Sequence, residues 1–596
     1  MEAAFNIVRN QFDKIILVLI GWFFTLLFFV WVLTNIVRTN NYYLWFLTIP
    51  LSLVTSIFVV KNYEFNLDKT RKINWLAYSV LVFLLILVFF YYLEPVIRYP
   101  LSTVGIPNKD LHDGISVFIA DHGYAPPDTA KFAENFYILS SQNGLYLGYP
   151  NLLHSFSALL LKAGIGPFQA TWIAVSIGLF FASLAVFLLS RFIYRDDLFS
   201  ALLGGFFAIS SFRIPYAGVA SIPMLFSLIL LLPSLLFFLV SLESENRQRL
   251  NFILPSICIS ILAVSYGGTV LLFFGILLIL LILLFLFKQK EKGLNLTRLI
   301  LFSLPLLIFC LFFLKRIYWQ NTFPTIKDFD PYELSQRLLP LDQPLYMIVL
   351  VISVITYLYE TIKRKIINQQ TKEEIYRVFF FVLVILFFAP IGFYFIFSSL
   401  NFQKMMRLAL VQPFLFIFFL GYAIYLLKKP WRYILIAVIL LFGLIIRPNL
   451  SFYQVVSPEV RESFYNQSDK NKSFTLLSHW RLILNDQIWS KDIFDGLTWL
   501  KNHQVKNKVL LWDERGWTEE TVANWGSIYL RKKIIRPSEL GIKNLQLDYY
   551  NLNLINNRGL VVFLIAPSEK SLDQYKSISG SINLFSQGQV FLYQLP

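Results

Sequence analysis

Along the first 450 residues the apolar positions show no simple period. They fall in continuous blocks separated by short polar loops, at 14–36, 43–60, 74–93, 168–190, 199–213, 221–242, 252–267, 269–287, 299–315, 344–360, 377–397, 409–427 and 433–447. A helix rises about 1.5 Å per residue, so blocks of this length match a hydrocarbon layer about 30 Å thick. The pattern predicts an all-α polytopic membrane domain of about 13 transmembrane helices over residues 1–450. After residue 450 it changes. Lys508–Asp513 (KVLLWD) and Leu560–Ala566 (LVVFLIA) read as buried strands, Ile493–His503 as a helix, and Gln589–Gln594 (QVFLYQ) as a closing strand. Residues 451–596 therefore read as a small soluble α/β domain, and contain no Gly-rich nucleotide-binding loop.

Composition agrees with this division. Hydrophobic residues make up 57% of the 596 and charged residues 15%, with a mean hydropathy of +0.60. A soluble globular enzyme carries nearer 25% charged residues, so that class is excluded. The net charge of +16 suggests nucleic acid until it is located: residues 451–596 hold 17 Lys and Arg against 14 Asp and Glu. The remaining excess sits in short loops between apolar blocks, where it reports topology; no nucleic-acid partner is expected. Lys61, Lys69, Arg71 and Lys72, then Arg191 and Arg195, then Lys363–Lys365, and Lys428, Lys429 and Arg432 fall on one side with Arg9 and Lys14. That places the N-terminus in the cytoplasm and, with an odd number of spans, the C-terminal domain outside a plasma membrane. The first block is long and lacks a small-residue cleavage site, so it reads as a span and not a signal peptide. Cys258 and Cys310 both lie in apolar blocks, which leaves neither a disulfide framework nor a cysteine metal site.

Candidate chemistry concentrates in one segment. The first large outer loop, 94–166, holds Asp110, Asp113, Asp121, Asp128 and Glu134, and three of the chain's five histidines, His112, His122 and His154. Within it Gly114–Ala120 is apolar and predicts a helix packed on the membrane domain, with Asp110 and Asp113 one turn apart at its start. First-turn carboxylates are favoured by the helix dipole whatever else they do, and the same position suits a general base. The Asp–His mixture also permits a divalent ion, Mg²⁺ or Mn²⁺, on Asp110 and Asp113, without a ligand spacing to sharpen it. Tyr149–Gly164 begins Tyr-Pro and continues with Leu152, Leu153, Phe156, Leu159 and Leu160, which predicts a helix lying on the outer surface or dipping into it.

Three elements, in this order, resemble the GT-C superfamily of integral-membrane glycosyltransferases. They are Asp110–Asp113 within KDLHDG, Tyr149–His154 (YPNLLH) some way on, and the soluble tail from about 451. The basic segment Asn401–Pro413 (NFQKMMRLALVQP) resembles the Arg-containing segment of that superfamily near the phosphate of its lipid-linked donor. Two features depart from the pattern: two additional spans precede the acidic loop, and the tail lacks the WWDYG signature of oligosaccharyltransferases.

The resemblance implies a hexosyl- or pentosyltransferase. It would move sugar from a polyprenyl-phosphate donor to the hydroxyl of a glycan, lipid or protein acceptor, with inversion, on the outer face of the membrane. Asp113 is then the first choice for general base and Asp110 the second, with His112 orienting either carboxylate or the acceptor. Lys404 and Arg407, or Lys315 and Arg316, would hold the donor phosphate. Asp121, His122, Tyr149 and His154 would contact substrate, and Asp328, Asp330, Tyr332 and Glu333 offer further polar groups. Three other functions stay open, one of them a non-catalytic assembly protein whose tail does the binding. A lipid-linked glycan transporter or flippase would be expected to bury ionisable groups within its spans, where the predicted spans hold almost none. An O-antigen ligase or polymerase would be expected to carry its large outer loop late in the chain and rich in Arg and His.

Overall fold

In the computed structural model, residues 2–61, 63, 74–98, 109–125, 151–194, 196–211, 222–243, 249–286, 290–318, 355, 412–445, 491–514, 519–540 and 560–595 are described. The membrane part contains helices α1 (Glu2–Val32, continued by a π turn over Leu33–Val37), α2 (Tyr42–Val60), α3 (Trp75–Arg98), α4 (Lys109–His122) and α5 (Leu152–Lys162). It goes on with α6 (Pro167–Tyr194), α7 (Asp197–Ser211), α8 (Ile222–Glu243), α9 (Ile253–Ser265) and α10 (Gly267–Leu286), then α11 (Lys290–Tyr318), α12 (Gln412–Tyr425) and α13 (Lys429–Ile445). Each predicted span that falls on described residues coincides with one of these helices. The spans predicted at 344–360 (residue 355 apart) and 377–397, and the domain boundary near 451, lie outside the described residues.

Four described helices are long and apolar enough to cross a membrane, α1, α2, α6 and α11, and shorter apolar helices accompany them. The central one is α6, with 89% of its most apolar window buried, against 33% for α2 and 28% for α11. The outer helices show why. Leu47, Leu51, Val54 and Phe58 of α2 recur at helical spacing and are exposed, as are Leu301, Phe302, Ile308, Phe309 and Phe312 of α11. Water would not tolerate such a face, whereas lipid does. Between helices, small polar residues bond to a neighbour's backbone. Thr25 Oγ1 donates to Ser52 O at 3.0 Å, Ser56 Oγ to Val18 O at 2.7 Å, and Trp22 Nε1 to Ile49 O at 3.2 Å. These bonds zip α1 to α2 where no water is available.

One correction to the sequence reading concerns Arg191. Counted as a loop charge, it is in fact buried, with 3% of its surface exposed, near the end of α6. Its guanidinium pairs with Asp13 of α1 and, through Nε at 2.8 Å, with Asp197 at the start of α7. Tyr78 of α3 donates its hydroxyl to Asp13 at 3.0 Å. The span ends are thus less free of ionisable groups than the sequence suggested. Sequence alone could not see this, because Asp13, Tyr78 and Arg191 come together only when α1, α3 and α6 pack.

The C-terminal part is a five-stranded sheet with helices. Strands β1 (Lys508–Asp513), β2 (Ile534–Ile535), β3 (Leu560–Ile565), β4 (Ile582–Gln587) and β5 (Val590–Gln594) run in the order β2-β1-β3-β5-β4. β1 lies parallel to both β2 and β3, and β5 is antiparallel to β3 and β4. The predicted strands fall at these places. Every residue of β3 is buried, as expected of a strand covered on both faces. Its side chains alternate: Val561, Phe563 and Ile565 face α14 (Lys491–Asn502) and α15 (Glu519–Leu530). Leu560, Val562 and Leu564 share the other face with Tyr575 of α16 (Glu569–Ser577). One member of the first core, Phe168, comes from the start of the membrane helix α6.

The Arg191 group makes a stability prediction. Removing the cation takes a charge partner from two buried carboxylates, so Arg191→Ala should destabilise the protein by about 3–5 kcal/mol. It would be read as a fall in the unfolding midpoint in detergent; replacing Asp13 and Arg191 together by apolar residues should cost less.

Candidate active site

The polar side chains at the opposite end of the bundle form a series of pairs, each joining two elements. From Asp13 to Asn35 α1 rises about 33 Å at 1.5 Å per residue, so this second polar group lies roughly one hydrocarbon thickness from the Arg191 group.

The series begins on the π turn of α1, an irregularity often found where a side chain must be re-aimed. Asn35 and Asn151 exchange side-chain amide bonds of 2.8 and 3.2 Å, fixing the start of α5 against α1. Asn151 precedes α5 yet makes no side-chain cap to it; its amide is committed to α1. Three residues on, His154 is fully buried, and its Nε2 lies 2.9 Å from Nδ1 of His112 on α4. Neighbouring positions of α4 then reach two different helices. His112 meets α5, while Asp113, with no exposed surface, accepts a hydrogen bond at Oδ1 from the hydroxyl of Thr171 on α6, at 2.5 Å.

Burial sets the protonation of His154. It pushes the His154 imidazole from its ordinary 6.5 down to about 3. The ring is therefore neutral, and one proton occupies the contact between the two nitrogens. His154 Nδ1 has no hydrogen-bond partner among the described residues. Either nitrogen of the contact can be the donor, and the tautomer of each ring follows from which one it is.

α4 ends at Gly123, whose φ of +79° is the left-handed cap that glycine adopts readily. A side chain there would run into the backbone at Thr39, in the turn between α1 and α2. That turn also holds the end of α4 directly, through Asn40 Nδ2 donating to Asp121 O at 2.5 Å. Lys162 of α5 reaches the same Asn40 at Oδ1, also at 2.5 Å.

Asp121 lies two turns beyond Asp113 and does not join it. Its Oδ2 pairs with Arg531 at 2.5 Å, in the residue that follows α15 of the C-terminal unit. The two side chains are 39% and 38% exposed. Partial burial pushes the Asp121 carboxyl up and the Arg531 guanidinium down, each shift opposed by the other's charge.

Of the residues predicted for the site, the structure therefore brings Asp113, His112 and His154 into one buried layer. Asp121 instead ties α4 to the C-terminal unit. His122 packs on Phe118, with ring centroids 4.3 Å apart. Asp110 occupies the first turn of α4 and Lys315 and Arg316 the last turns of α11, with side chains outside the described residues. Tyr149, Lys404 and Arg407, and Asp328, Asp330, Tyr332 and Glu333, also lie outside them. The helix predicted from Tyr149 runs over Leu152–Lys162, and every side chain from Leu152 to Leu159 is buried. It is inserted among α1, α4 and α6 and does not lie flat on a surface. Among the described residues no three His, Cys, Asp or Glu side chains assemble as a metal-ligand set. Sequence reasoning missed Asn35, Asn151, Thr171 and Arg531. A lone asparagine in an apolar block was the available signal for the first; Thr171 and Arg531 carried none.

No known protein family and no curated protein matches the chain. Among solved structures it is similar to ArnT from Cupriavidus metallidurans in the apo state, at 10% identity and a TM-score of 0.44, over 87% of this chain and 97% of that one. ArnT bound to undecaprenyl phosphate gives 11% identity and 0.40 over the same shares. The oligosaccharyltransferase AglB from Archaeoglobus fulgidus, in complex with an inhibitory peptide and a dolichol-phosphate, gives 13% and 0.34, over 88% of this chain and 74% of that one.

The depressed His154 carries a pH prediction. Between its folded value of about 3 and its unfolded 6.5 the unfolded chain holds the extra proton. Stability from this group is complete above pH 6.5 and falls as pH drops towards 3, by up to about 1.4 kcal/mol per pH unit. Replacing His154 by Gln should flatten the acid limb of a plot of unfolding midpoint against pH; an unchanged slope would assign it to other groups.

Proposed function

We propose that this chain is a membrane glycosyltransferase. It would take a sugar from a polyprenyl-phosphate donor and attach it to the hydroxyl of a glycan, lipid or protein acceptor. One observation carries the reading: a buried carboxylate, Asp113, held by a hydroxyl and flanked by a buried histidine pair, at one polar end of an apolar helical bundle. Ionisable groups kept in such a place are more often chemical than structural.

In the proposed reaction the Asp113 carboxylate takes the proton of the acceptor hydroxyl. The oxygen attacks the anomeric carbon opposite the phosphate, the carbon–phosphate-oxygen bond breaks with its electron pair going to the lipid phosphate, and the configuration inverts. Thr171 holds Oδ1 of Asp113, which leaves the carboxylate fixed in orientation. Asp113 has no exposed surface, so the acceptor reaches it only when the segments over it part. Asp110, one turn earlier on α4, is the alternative base, and His112 orients the acceptor or the carboxylate. Tyr149, His154, Asp121 and His122 are kept as contacts to substrate. Lys404 with Arg407, or Lys315 with Arg316, would receive the leaving phosphate. A divalent ion, Mg²⁺ or Mn²⁺, on Asp110 and Asp113 belongs to the same proposal.

We place the reaction on the outer side of a plasma membrane, with the N-terminus cytoplasmic and residues 451–596 forming a separate extracytoplasmic domain, because the basic loops gather on the other side. The transporter reading would draw on the buried Asp13–Arg191–Asp197 group. Its place at a bundle end, with charges paired, favours a structural tie over a path for cargo.

Purified protein incubated with a panel of polyprenyl-phosphate sugars should release polyprenyl phosphate. Asp113→Asn should slow release by roughly 10²–10⁴-fold, as loss of a general base does, and Thr171→Val by about tenfold, through loss of positioning. If Asp110→Asn abolishes release and Asp113→Asn does not, the roles are reversed. Release indifferent to both changes would sink the assignment. Loss in EDTA with recovery in Mg²⁺ or Mn²⁺ would establish the ion, and indifference would remove it.

A further inference from the structure

Among the described residues, the C-terminal unit meets the site's helices α6 and α4 within a few turns of the Asp113–Thr171 bond. On α6, Phe168 lies one turn before Thr171 and is buried in the core of the sheet unit. It stacks on Tyr529 at 5.5 Å between ring centroids and meets Trp525 at 5.0 Å. On α4, Arg531 Nη1 donates to Asp121 Oδ2, two turns after Asp113, and points a longer 3.4 Å contact at the carbonyl of Val117, one turn after it. Tyr529 and Arg531 are two residues apart at the end of α15, so one short segment grips both helices. Arg531 itself sits at a φ of +56°, in the left-handed region that an arginine rarely adopts.

The Arg531–Asp121 half of the grip contributes little to global stability. The ion pair is more than a third exposed on both sides, and pairs of that kind are worth about 0–1 kcal/mol. Geometry gives it another consequence. Asp113, Val117 and Asp121 are spaced four residues apart and share one side of α4, so the side that carries the carboxylate to Thr171 is the side Arg531 holds. A rotation or slide of α4 that breaks the Asp113–Thr171 bond must also disturb the Arg531 contacts.

We propose that Arg531 is a positioning residue: from the C-terminal unit it sets the seat of α4 and thereby the register of Asp113 against Thr171. It touches no reacting atom, and it makes the soluble unit a working part of the membrane site. The turnover half of the test rests on the proposed function; the structural half does not.

The variants are Arg531→Gln, Arg531→Lys and, from the other side of the pair, Asp121→Asn, in the full-length protein. Hydrogen exchange of the α4 amides needs no substrate. Arg531→Gln and Asp121→Asn should each speed exchange over residues 114–122 by about tenfold, with β1 and β3 unchanged and the unfolding midpoint nearly so. Arg531→Lys should recover part of the protection. In the donor assay Arg531→Gln should lower kcat by about tenfold while KM for the donor changes by less than about twofold. Unchanged exchange in α4 would overturn the proposal, whatever turnover does. So would faster exchange spread equally over the sheet, which is the mark of general destabilisation. If exchange responds as stated while wild-type protein turns over no donor, the positioning stands and the glycosyltransferase reading fails.

Discussion

Over most of their length these helices have no water to bond, and every polar group must find its partner within the protein. That constraint arranges the molecule. Side chains that can bond to nearby carbonyls, such as Thr25 and Ser56, are used between helices, while among the described residues charges and amides gather towards the two ends. At one end Arg191 gathers Asp13, Asp197 and Tyr78 from four helices. At the other, a series of pairs runs from Asn35 through Asn151, His154, His112, Asp113 and Thr171, and continues from Asp121 to Arg531. Where such a pair is fully buried, removing one partner takes from the other a bond that no water replaces.

The two ends do different work. The Arg191 group is compact, charged and paired, and joins α1, α3, α6 and α7 as a fixed corner. The other end contains a carboxylate, two imidazoles with burial holding one of them neutral, and helices that change direction. Here α1 passes into a π turn, α4 stops at a left-handed glycine, and α5 is only 11 residues long, too short to cross a bilayer. Short and irregular elements of this kind place side chains where a straight span would bury them against a neighbour.

The C-terminal unit is joined to this end by contacts of two types. Phe168 is an apolar plug, taken from a membrane helix into the core of a soluble sheet. The pair of Asp121 and Arg531 is polar and partly open to solvent. The first fixes proximity, since the ring is buried against Trp525 and Tyr529. The second fixes orientation, because a guanidinium that meets both a carboxylate and a backbone carbonyl has few geometries that satisfy both.

What the sequence determined by itself was everything that depends on runs of similar residues. The spans that fall on described residues were legible as helices because a hydrocarbon layer demands about twenty consecutive apolar residues. The strands KVLLWD and LVVFLI were legible because a strand buried on both faces is apolar throughout. Clustering also singled out Asp113, His112 and His154, since acids and histidines are scarce in this chain. It did not separate Asp121, which has the same chemistry and lies on the same helix but faces another partner. Only the tertiary structure decided the pairings. Thr171 is one hydroxyl in a long apolar helix and Arg531 one cation among many in the tail; each gains its meaning from a residue 58 or 410 positions away. Arg191, read as a loop charge, became a buried one for the same reason. Periodicity reports which face of an element is buried, and nothing in it states what the buried face will meet.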